Sequence, residues 1–348
     1  MHAASPVRII SFRFKHPLFP NRLSSSNRAA ATRYFMRDAD KRQPVRHSQS
    51  ACDNESGVKT CSLWRFRIAD VERETDALAV EEPLQIFVQG KPFTITLRSP
   101  GQDVALAAGL LFTEGIVDRR EDLAGIRQCR EIDGNEVFAE LSERRLEAVE
   151  PRLRQGLRVS RTSCGLCGRE LVESAFVQTP PIDKPGRVSG ELLQRCREQM
   201  EQAQTLFSQT GNTHAAALFA SDGELIAIGE DVGRHNAMDK AIGAAFLAGS
   251  LSRVFLGFAS SRASFEMVQK AARARVAVMG FTSGATSLAV DLAARTGMTL
   301  AAFVRPTRFA VYSCPERFAG EPLPADATPE SEEDRRSCEM TTRNPKEG

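Results

Sequence analysis

The chain has 348 residues, with 46 Lys and Arg against 44 Asp and Glu, so its formal net charge is +2. Hydrophobic residues make up 42% and charged residues 26%, a balance that excludes collagen, coiled-coil rods and a chain disordered throughout. A net charge so close to zero argues against a dedicated nucleic-acid binder. The longest apolar runs are far shorter than the ~18–20 residues of a membrane span, so we expect no membrane segment.

The two ends of the chain differ in charge from its middle. Residues 1–60 carry a net charge of +7, residues 319–348 carry −4, and the middle carries −1. The first 37 residues lack acidic side chains, which fits a basic extension, a chain that starts at Met36, or a transit peptide. We predict that residues 1–60 are a disordered basic extension and that the Pro-, Glu- and Ser-rich residues 319–348 are a disordered tail.

Residues 61–160 show the pattern of a small β-rich subdomain. Predicted elements are strands at 84–88 and 93–97 around a Gln89-Gly90 turn, a helix at 105–112, and a weak hairpin within 126–142 around Asp133-Gly134. Asp103 is the predicted N-cap of the helix.

Residues 161–318 alternate more clearly between strands and helices. The predicted elements are a helix at 189–208, strands at 213–219 and 225–228, a helix at 233–248, and then strand 254–258, helix 264–274, strand 276–279, helix 285–295 and strand 300–304. The final β-α-β-α-β alternation has continuously apolar strands, which indicates a parallel sheet covered on both faces.

Ligands of such sheets bind beyond the carboxyl ends of the strands. The segments at those ends are Ser260-Ser261-Arg262, Thr282-Ser283-Gly284 and Arg305-Pro306-Thr307-Arg308. Helix N-termini and Arg side chains favour phosphate groups. Ser, Gly and Arg are also ordinary turn residues, but three such segments at one edge predict a phosphate-bearing ligand.

Among eight cysteines, only Cys164 and Cys167 form a local pair, in Cys164-Gly-Leu-Cys167-Gly168. A C-x-x-C pair is compatible with half of a zinc site, a redox dithiol, a sulfur carrier or two incidental thiols. No second zinc pair lies nearby. Flanking glycines permit loop movement, and neighbouring arginines favour a thiolate, so the pattern favours a sulfur carrier.

Two histidine segments are candidates for chemistry. Thr213-His214-Ala-Ala is similar to the His-Ala-Glu motif of zinc deaminases, but Ala216 stands where the acid–base Glu is required, which disfavours deamination. Further along, His235 and Asp239 lie one helical turn apart, as a tuned acid–base pair or as a capping arrangement. Arg234 beside them suits an anionic ligand.

Taken together, these motifs resemble the FdhD family, the formate dehydrogenase accessory sulfurtransferases. The resemblance spans roughly residues 64–318. Its motifs are Glu81-Glu-Pro-Leu84, Phe112-Thr-Glu-Gly-Ile116, Ser163-Cys-Gly-Leu-Cys-Gly168, Gly211-Asn-Thr-His-Ala-Ala-Ala217, Glu230-Asp-Val-Gly-Arg-His-Asn-Ala237 with Asp239-Lys240, Ser260-Ser-Arg-Ala-Ser264 with Glu266-Met-Val-Gln-Lys270, and Phe303-Val-Arg-Pro-Thr-Arg308. Thr307 stands where some members carry Gly.

The resemblance implies a cytoplasmic, homodimeric sulfur carrier. Sulfur would come from a cysteine desulfurase as a persulfide on Cys164, with Cys167 as its partner. It would pass to the molybdenum cofactor in its bis-guanine-dinucleotide form, bound as a substrate, before that cofactor enters formate dehydrogenase. The implied fold is α/β, with a cytidine-deaminase-like covered sheet that includes the C-terminal βαβαβ unit, beside the smaller N-terminal subdomain.

The predicted site residues combine the resemblance with the sheet-edge argument. Cofactor-binding candidates are Phe303, Val304, Arg305, Pro306, Thr307, Arg308, Ser261, Arg262, His214, Arg234 and His235. No structural metal and no nucleic acid are expected. The alternatives are a non-catalytic chaperone that only holds the cofactor and a zinc-dependent hydrolase on a deaminase-like fold. The spacing of Cys129, Cys196 and Cys314 assigns them no role.

Overall fold

The computed structural model describes residues 57–68, 70–129, 135–153, 158–159 and 181–318. The N-terminal elements are β1 Val58–Arg67, β2 Asp70–Ala79, β3 Glu82–Val88, β4 Lys91–Arg98, α1 Asp103–Thr113, β5 Leu123–Cys129, β6 Glu136–Leu141, α2 Glu143–Leu153 and β7 Arg158–Val159. The remaining elements are α3 Gly190–Gln202, α4 Thr205–Thr210, β8 His214–Phe219, β9 Leu225–Asp231, α5 Arg234–Leu247, β10 Leu256–Ala259, α6 Phe265–Arg273, β11 Val278–Phe281, α7 Ser287–Thr296, β12 Thr299–Arg305 and β13 Arg308–Ser313.

A six-stranded sheet forms the centre of the C-terminal region, in the order β13-β12-β11-β10-β8-β9. Strands β10, β11 and β12 are parallel and are connected by α6 and α7, which confirms the predicted βαβαβ unit. Every residue of β10 and β11 is buried, so both faces of the sheet are covered there. Strands β8, β9 and β13 run antiparallel to their neighbours, which makes the sheet mixed.

A second sheet, ordered β5-β6-β3-β4-β7, occupies the region predicted to be β-rich. Strands β3 and β4 form the expected hairpin, and β5 pairs with β6 as predicted. The turn predicted at Asp133-Gly134 lies outside the described residues. Helix α1 packs along α5 and thereby joins this sheet to the six-stranded one.

The predicted N-cap of α1 is wrong. Gln102 occupies the cap position with a left-handed backbone, and Asp103 is the first helical residue. The Asp103 carboxylate instead receives two hydrogen bonds of 2.9 Å from the buried guanidinium of Arg98. A buried Arg requires such pairing, and that requirement outweighs the capping preference of Asp.

The helix predicted over 189–208 is two helices. Ser189 caps α3 by accepting a hydrogen bond from Leu192 N, and the helix ends at Gln202. Helix α4 then starts under a different cap, because the Glu230 carboxylate accepts hydrogen bonds from Leu206 N and Phe207 N. A carboxylate that satisfies free N–H groups in this way defines a new helix start.

Strands β1 and β2 were not anticipated from the sequence. They form a separate two-stranded antiparallel hairpin whose residues are mostly exposed, and its main contacts with other described elements are to α4. None of the helices in the described ranges has the length and apolar character that crossing a membrane requires.

Candidate functional site

The carboxyl ends of β10, β11 and β12 meet at one edge of the six-stranded sheet. Backbone hydrogen bonds hold the three following segments side by side, from Ser283 N to Ser261 O at 3.3 Å and from Phe303 N to Ser283 O at 3.1 Å. We call this surface, formed by residues 260–264, 282–286 and 303–308, the ligand edge. The sheet topology therefore brings together the three segments that the sequence placed at this edge.

Three helices begin at or beside the ligand edge without a side-chain cap. Helices α5, α6 and α7 follow Gly233, Ser264 and Thr286, and none of these residues accepts a capping hydrogen bond through its side chain. The Ser264 hydroxyl oxygen is buried and has no hydrogen-bond partner among the described residues. Uncapped N-termini present free N–H groups and partial positive charge, which favours an anion.

Arginines border the same surface on the β12–β13 hairpin. Arg305 pairs with Arg308 across a two-residue turn of Pro306 and Thr307, and all four residues are exposed. Arg305 also donates a hydrogen bond of 2.6 Å to Thr282 O, which ties the hairpin to the neighbouring loop. Val304 is buried, so it would reach a ligand only through its backbone.

Phe303, at the ligand edge, has a left-handed backbone conformation that is uncommon for residues other than glycine. Its φ is 51°, in a bulge between Ala302 and Arg305, and its side chain is about half exposed. A Cβ added to Gly284 would collide with the Phe303 ring, so Gly284 leaves the space that the ring occupies. An exposed aromatic side chain in a strained backbone conformation, next to exposed arginines, offers a surface on which a base can stack.

His214 begins β8 and lies at the same end of the sheet, because β8 runs antiparallel to β10. Its Nδ1 lies 3.4 Å from the Ser260 hydroxyl oxygen, which accepts a hydrogen bond from Ala215 N at 3.0 Å. Burial lowers the pKa of His214, and its Coulombic interactions with Arg234 and His235 lower it further. These effects favour the neutral form of His214 over the protonated form.

Ser261 and Arg262 differ in accessibility. Ser261 is buried and its hydroxyl donates to Arg262 O at 3.2 Å, whereas Arg262 is exposed. Of these two predicted residues, Arg262 is therefore the one whose side chain is accessible to a ligand.

The start of α5, which carries Arg234 and His235, is fixed by the buried carboxylate of Asp231. One of its oxygens accepts hydrogen bonds from Gly233 N at 2.9 Å and from Asn236 Nδ2 at 3.1 Å. These two hydrogen bonds fix the turn that precedes α5.

The other oxygen of Asp231 connects this turn to the five-stranded sheet. It accepts a hydrogen bond from Ser99 N at 3.1 Å and lies 2.8 Å from Lys240 Nζ. Lys240 and Asp231 are both buried, and Lys240 also donates to Ser99 O at 2.8 Å. A buried ion pair with all its hydrogen bonds satisfied holds one backbone geometry, here the one that orients Arg234 and His235.

His235 does not pair with Asp239, so that interpretation of their spacing is wrong. Its Nε2 lies 2.8 Å from Glu266 Oε2 in α6, and this contact lowers the pKa of Glu266. Asp239 instead points away to a buried cluster, where Lys270 and Thr113 donate to its carboxylate at 2.8–2.9 Å.

Two functional candidates were missed from the sequence, namely Glu266 and the unpartnered Ser264. Arg234 is among the predicted site residues, and its Nε is buried with no hydrogen-bond partner in the described part of the chain. The order Ser264-Phe-Glu266 is typical of a helix start with an acidic residue in its first turn. The sequence therefore gave these residues a role in forming the helix and no reason to assign them to a ligand site.

Cys164 and Cys167 lie outside the described residues. The nearest described element before them is β7, in which Val159 pairs with Ile95 of β4. Among the other thiols, burial raises the pKa of Cys196 to about 12, so it is not a nucleophile at neutral pH. Burial also raises the pKa of the partly buried Cys314. The described residues contain no cluster of three or more His, Cys, Asp or Glu suited to a metal.

The model of the FdhD/NarQ family matches residues 79–319, more than half of the chain. The chain belongs to the FdhD/NarQ family. The match includes the ligand edge, the His214 strand and the Cys164–Cys167 segment, but it excludes nearly all of the β1–β2 hairpin.

Curated relatives of this FdhD/NarQ family chain carry a consistent name. A sulfur carrier protein FdhD from Streptomyces coelicolor is 41% identical over 276 residues, which covers 73% of this chain and 93% of the relative. Another from Mycobacterium tuberculosis is 41% identical over 255 residues, with 70% and 91% covered. A crystal structure of a protein described as a formate dehydrogenase accessory protein from Desulfotalea psychrophila superposes with a TM-score of 0.61 at 23% identity, over 75% of this chain and 99% of that chain, and shows a shared fold.

Proposed function

We propose that this protein is a cytoplasmic sulfur carrier for the maturation of formate dehydrogenase. In this proposal Cys164 receives sulfur from a cysteine desulfurase, and the ligand edge binds the substrate, the molybdenum cofactor in its bis-guanine-dinucleotide form. Membership of the FdhD/NarQ family and the names of the relatives support the sulfur-carrier role.

The ligand edge is the observation that carries the substrate part of the proposal. Three uncapped helix N-termini, the exposed arginines of the β12–β13 hairpin and a buried, unpartnered Ser264 hydroxyl all favour an anion. Two guanine dinucleotides present pyrophosphates and flat bases. Arg305 and Arg308 suit the pyrophosphates, while Phe303 supplies a surface for base stacking.

The proposed sulfur transfer takes place between thiolates and needs no metal on the protein. The Cys164 thiolate attacks the outer sulfur of the desulfurase persulfide, and the thiolate of the desulfurase cysteine leaves as the new Cys164 persulfide forms. The Cys167 thiolate then attacks Cys164 Sγ. The outer sulfur leaves as sulfide towards the cofactor, and a Cys164–Cys167 disulfide remains. A dithiol reductant returns the pair to its starting state.

Intact-protein mass spectrometry tests the sulfur step. The protein is incubated with a cysteine desulfurase and cysteine, then measured with and without reductant. We expect a reductant-sensitive increase of one sulfur atom that is lost in Cys164→Ala. Cys196→Ala is the matched control, because its buried thiol should leave the adduct unchanged.

Binding of GDP, measured by calorimetry on the same variants, tests the ligand edge separately. Cys164→Ala should bind GDP as the wild type does. If no protein form acquires sulfur while GDP still binds, the carrier role is wrong and the cofactor-holding chaperone replaces it. Stoichiometric zinc in the purified protein would favour the hydrolase alternative instead.

A further inference from the structure

Glu266 is an acidic side chain on a surface that otherwise favours anions. It lies in the first turn of α6, directly after the ligand-edge segment 260–264. Within the ligand edge and the first turns of α5, α6 and α7, it is the only acidic residue. The arginines of the same segments are Arg234, Arg262, Arg305 and Arg308. A carboxylate repels the phosphate groups that these arginines attract, so Glu266 points to a part of the ligand that is not a phosphate.

The contacts of Glu266 set it apart from the other carboxylates near these helix starts. Asp231 and Asp239 are buried, and each pairs with a lysine at 2.8 Å. The Glu266 side chain is 35% exposed, and its ion-pair partner in the described ranges is His235. The two aspartates therefore serve the fold, whereas Glu266 keeps an accessible carboxylate.

The contact between Glu266 and His235 leaves the histidine incompletely satisfied. His235 Nε2 lies 2.8 Å from Glu266 Oε2, but the two groups are not aligned as a hydrogen bond, and Nε2 is buried without a hydrogen-bond partner among the described residues. Arg234 Nε and the Ser264 hydroxyl are in the same condition. Buried polar atoms nearly always have partners, so such atoms at the adjoining starts of α5 and α6 indicate a polar ligand there.

The charge of Glu266 decides what it can recognise. Its contact with His235 lowers the pKa of the Glu266 carboxyl group from an ordinary value that is already well below 7, so the group is ionised at neutral pH. An ionised carboxylate accepts hydrogen bonds and donates none, and its two oxygens can accept from two neighbouring donors at once. The matching ligand group carries two adjacent N–H donors.

Among the bases of nucleotides, guanine has that pattern. Its Watson–Crick edge presents the N1–H and the N2 amino group side by side, whereas adenine and cytosine present one donor beside an acceptor, and uracil presents one donor between two acceptors. We propose that Glu266 is the specificity-determining residue of the ligand edge and accepts hydrogen bonds from the N1–H and the N2 amino group of guanine. This assignment rests on the proposed function, in which arginines of the same edge hold the phosphates.

A purely structural role for Glu266 makes a different prediction. An acidic residue in a first turn is favourable because of the partial positive charge at the N-terminus of a helix. That role would give Glu266 an effect on stability and none on the choice of base. The preference among bases is therefore the measurement that separates the two roles.

Calorimetric titrations of the full-length protein with GDP, IDP, ADP and inorganic pyrophosphate measure that preference. IDP keeps the N1–H of guanine and lacks the N2 amino group, and pyrophosphate lacks the base altogether. We expect the wild type to bind GDP about tenfold or more tighter than ADP, with IDP between them, because a site built around hydrogen bonds rejects analogues that leave those bonds unmade.

Glu266→Gln replaces the carboxylate by an amide of nearly the same shape. It should weaken GDP binding about tenfold or more and abolish the preference over IDP and ADP, because the amide brings a donor against the donors of guanine. Pyrophosphate affinity should be unchanged or higher, since a negative charge has been removed. Glu266→Asp keeps the charge on a shorter side chain and should lose the preference as well.

The matched control is Glu143→Gln. Glu143 is an exposed acidic residue in the first turn of α2, so the same change removes a charge from another helix start. This variant should bind GDP, IDP, ADP and pyrophosphate as the wild type does.

The outcomes separate this assignment from the proposed function. If the wild type binds GDP and ADP equally, or if Glu266→Gln keeps the preference for GDP, Glu266 does not recognise the base, although the ligand edge still binds nucleotides. If Glu266→Gln loses pyrophosphate together with GDP, the role of Glu266 is structural and the assignment is wrong. If the wild type binds neither GDP nor pyrophosphate, the ligand edge is wrong and the assignment fails with it.

Discussion

Gly109 of α1 and Gly243 of α5 lie back to back where the two helices cross. A Cβ on Gly109 would overlap the Asp239 carbonyl oxygen, and a Cβ on Gly243 would overlap the Ala105 carbonyl oxygen. This contact joins the five-stranded sheet to the six-stranded sheet, because each helix packs on one of them. The distance between the two parts of the fold is therefore set by the absence of two side chains.

Either Gly109→Ala or Gly243→Ala should destabilise the protein by about 1–3 kcal/mol or more, because the helices must separate to admit a methyl group. Urea unfolding monitored by circular dichroism measures the loss. Gly125→Ala in β5 is the control, since the nearest atom to its added Cβ is a flexible Glu140 carboxylate oxygen at 3.9 Å. Equal midpoints for all three variants would contradict the packing described.

Lys270 and Asp239 form a buried pair beside that crossing. Burial raises the pKa of Asp239, while Lys270 and Thr113 stabilise its charged form. Lys270→Met should cost about 3–5 kcal/mol, since it leaves a buried carboxylate without its cation. The double variant Lys270→Met with Asp239→Leu should regain part of that stability in thermal unfolding. No recovery would mean that the pair matters through shape and not through charge.

The sequence predicted those parts of the fold in which local pattern and tertiary environment agree. Short apolar runs in β10, β11 and β12 alternate with helical patterns and are typical of strands in a covered parallel sheet, so the βαβαβ unit was predictable. The β1–β2 hairpin was not, because its strands are exposed on both faces and lack the apolar alternation of a half-buried strand.

The sequence predicted which segments form the site, but not which side chains contact each other within it. Sheet topology alone brings Ser261, Ser283 and Phe303 together, and that topology follows from the order of the elements. Which residue His235 contacts depends on how α5 and α6 pack, and spacing along one helix carries no information about that. Hence Glu266 was missed as the partner and Asp239 was wrongly considered.

Anion binding at the ligand edge should strengthen as pH falls. Burial, Arg234 and His235 lower the pKa of His214 below its ordinary value near 6.5 in the free protein. A bound phosphate would offset the positive charge of Arg234 and raise the pKa of His214, so binding takes up a proton below about pH 6.5. GDP titrations from pH 5 to 8 should show this rise, and His214→Ala should reduce it. A wild-type affinity independent of pH below 6.5 would contradict the placement of His214 near the ligand.

The same shift in the pKa of His214 affects folding with a defined sign. Because the folded-state pKa is lower than the unfolded value, the unfolded chain binds more protons below pH 6.5, and His214 then reduces stability as pH falls. At higher pH the contribution disappears. The His214→Ala variant should lose less stability than the wild type between pH 7 and 5 in urea unfolding.

Cys196 should resist alkylation in the native protein. Its side chain is fully buried and burial raises its pKa to about 12, so almost no thiolate exists at pH 8. Cys61 is exposed and provides an internal control for the reagent. Iodoacetamide labelling followed by peptide mass spectrometry should modify Cys61 and leave Cys196 free until urea is added. Labelling of native Cys196 would show that its thiol is accessible, and Cys196 would then be a candidate for a second sulfur carrier.

Arg308→Ala should weaken GDP binding about 10- to 150-fold, which corresponds to roughly 1.5–3 kcal/mol for one charge-assisted phosphate contact. Arg305→Ala should cost at least as much, because Arg305 also holds the hairpin against Thr282 O. Arg308→Lys separates the two contributions of charge and geometry, since Lys keeps the charge without the two-pronged donor. Arg253, an exposed residue paired with Glu224, supplies the control variant Arg253→Ala, which should leave GDP binding unchanged. If Arg308→Ala binds GDP as tightly as that control, the phosphates do not lie against the β12–β13 turn.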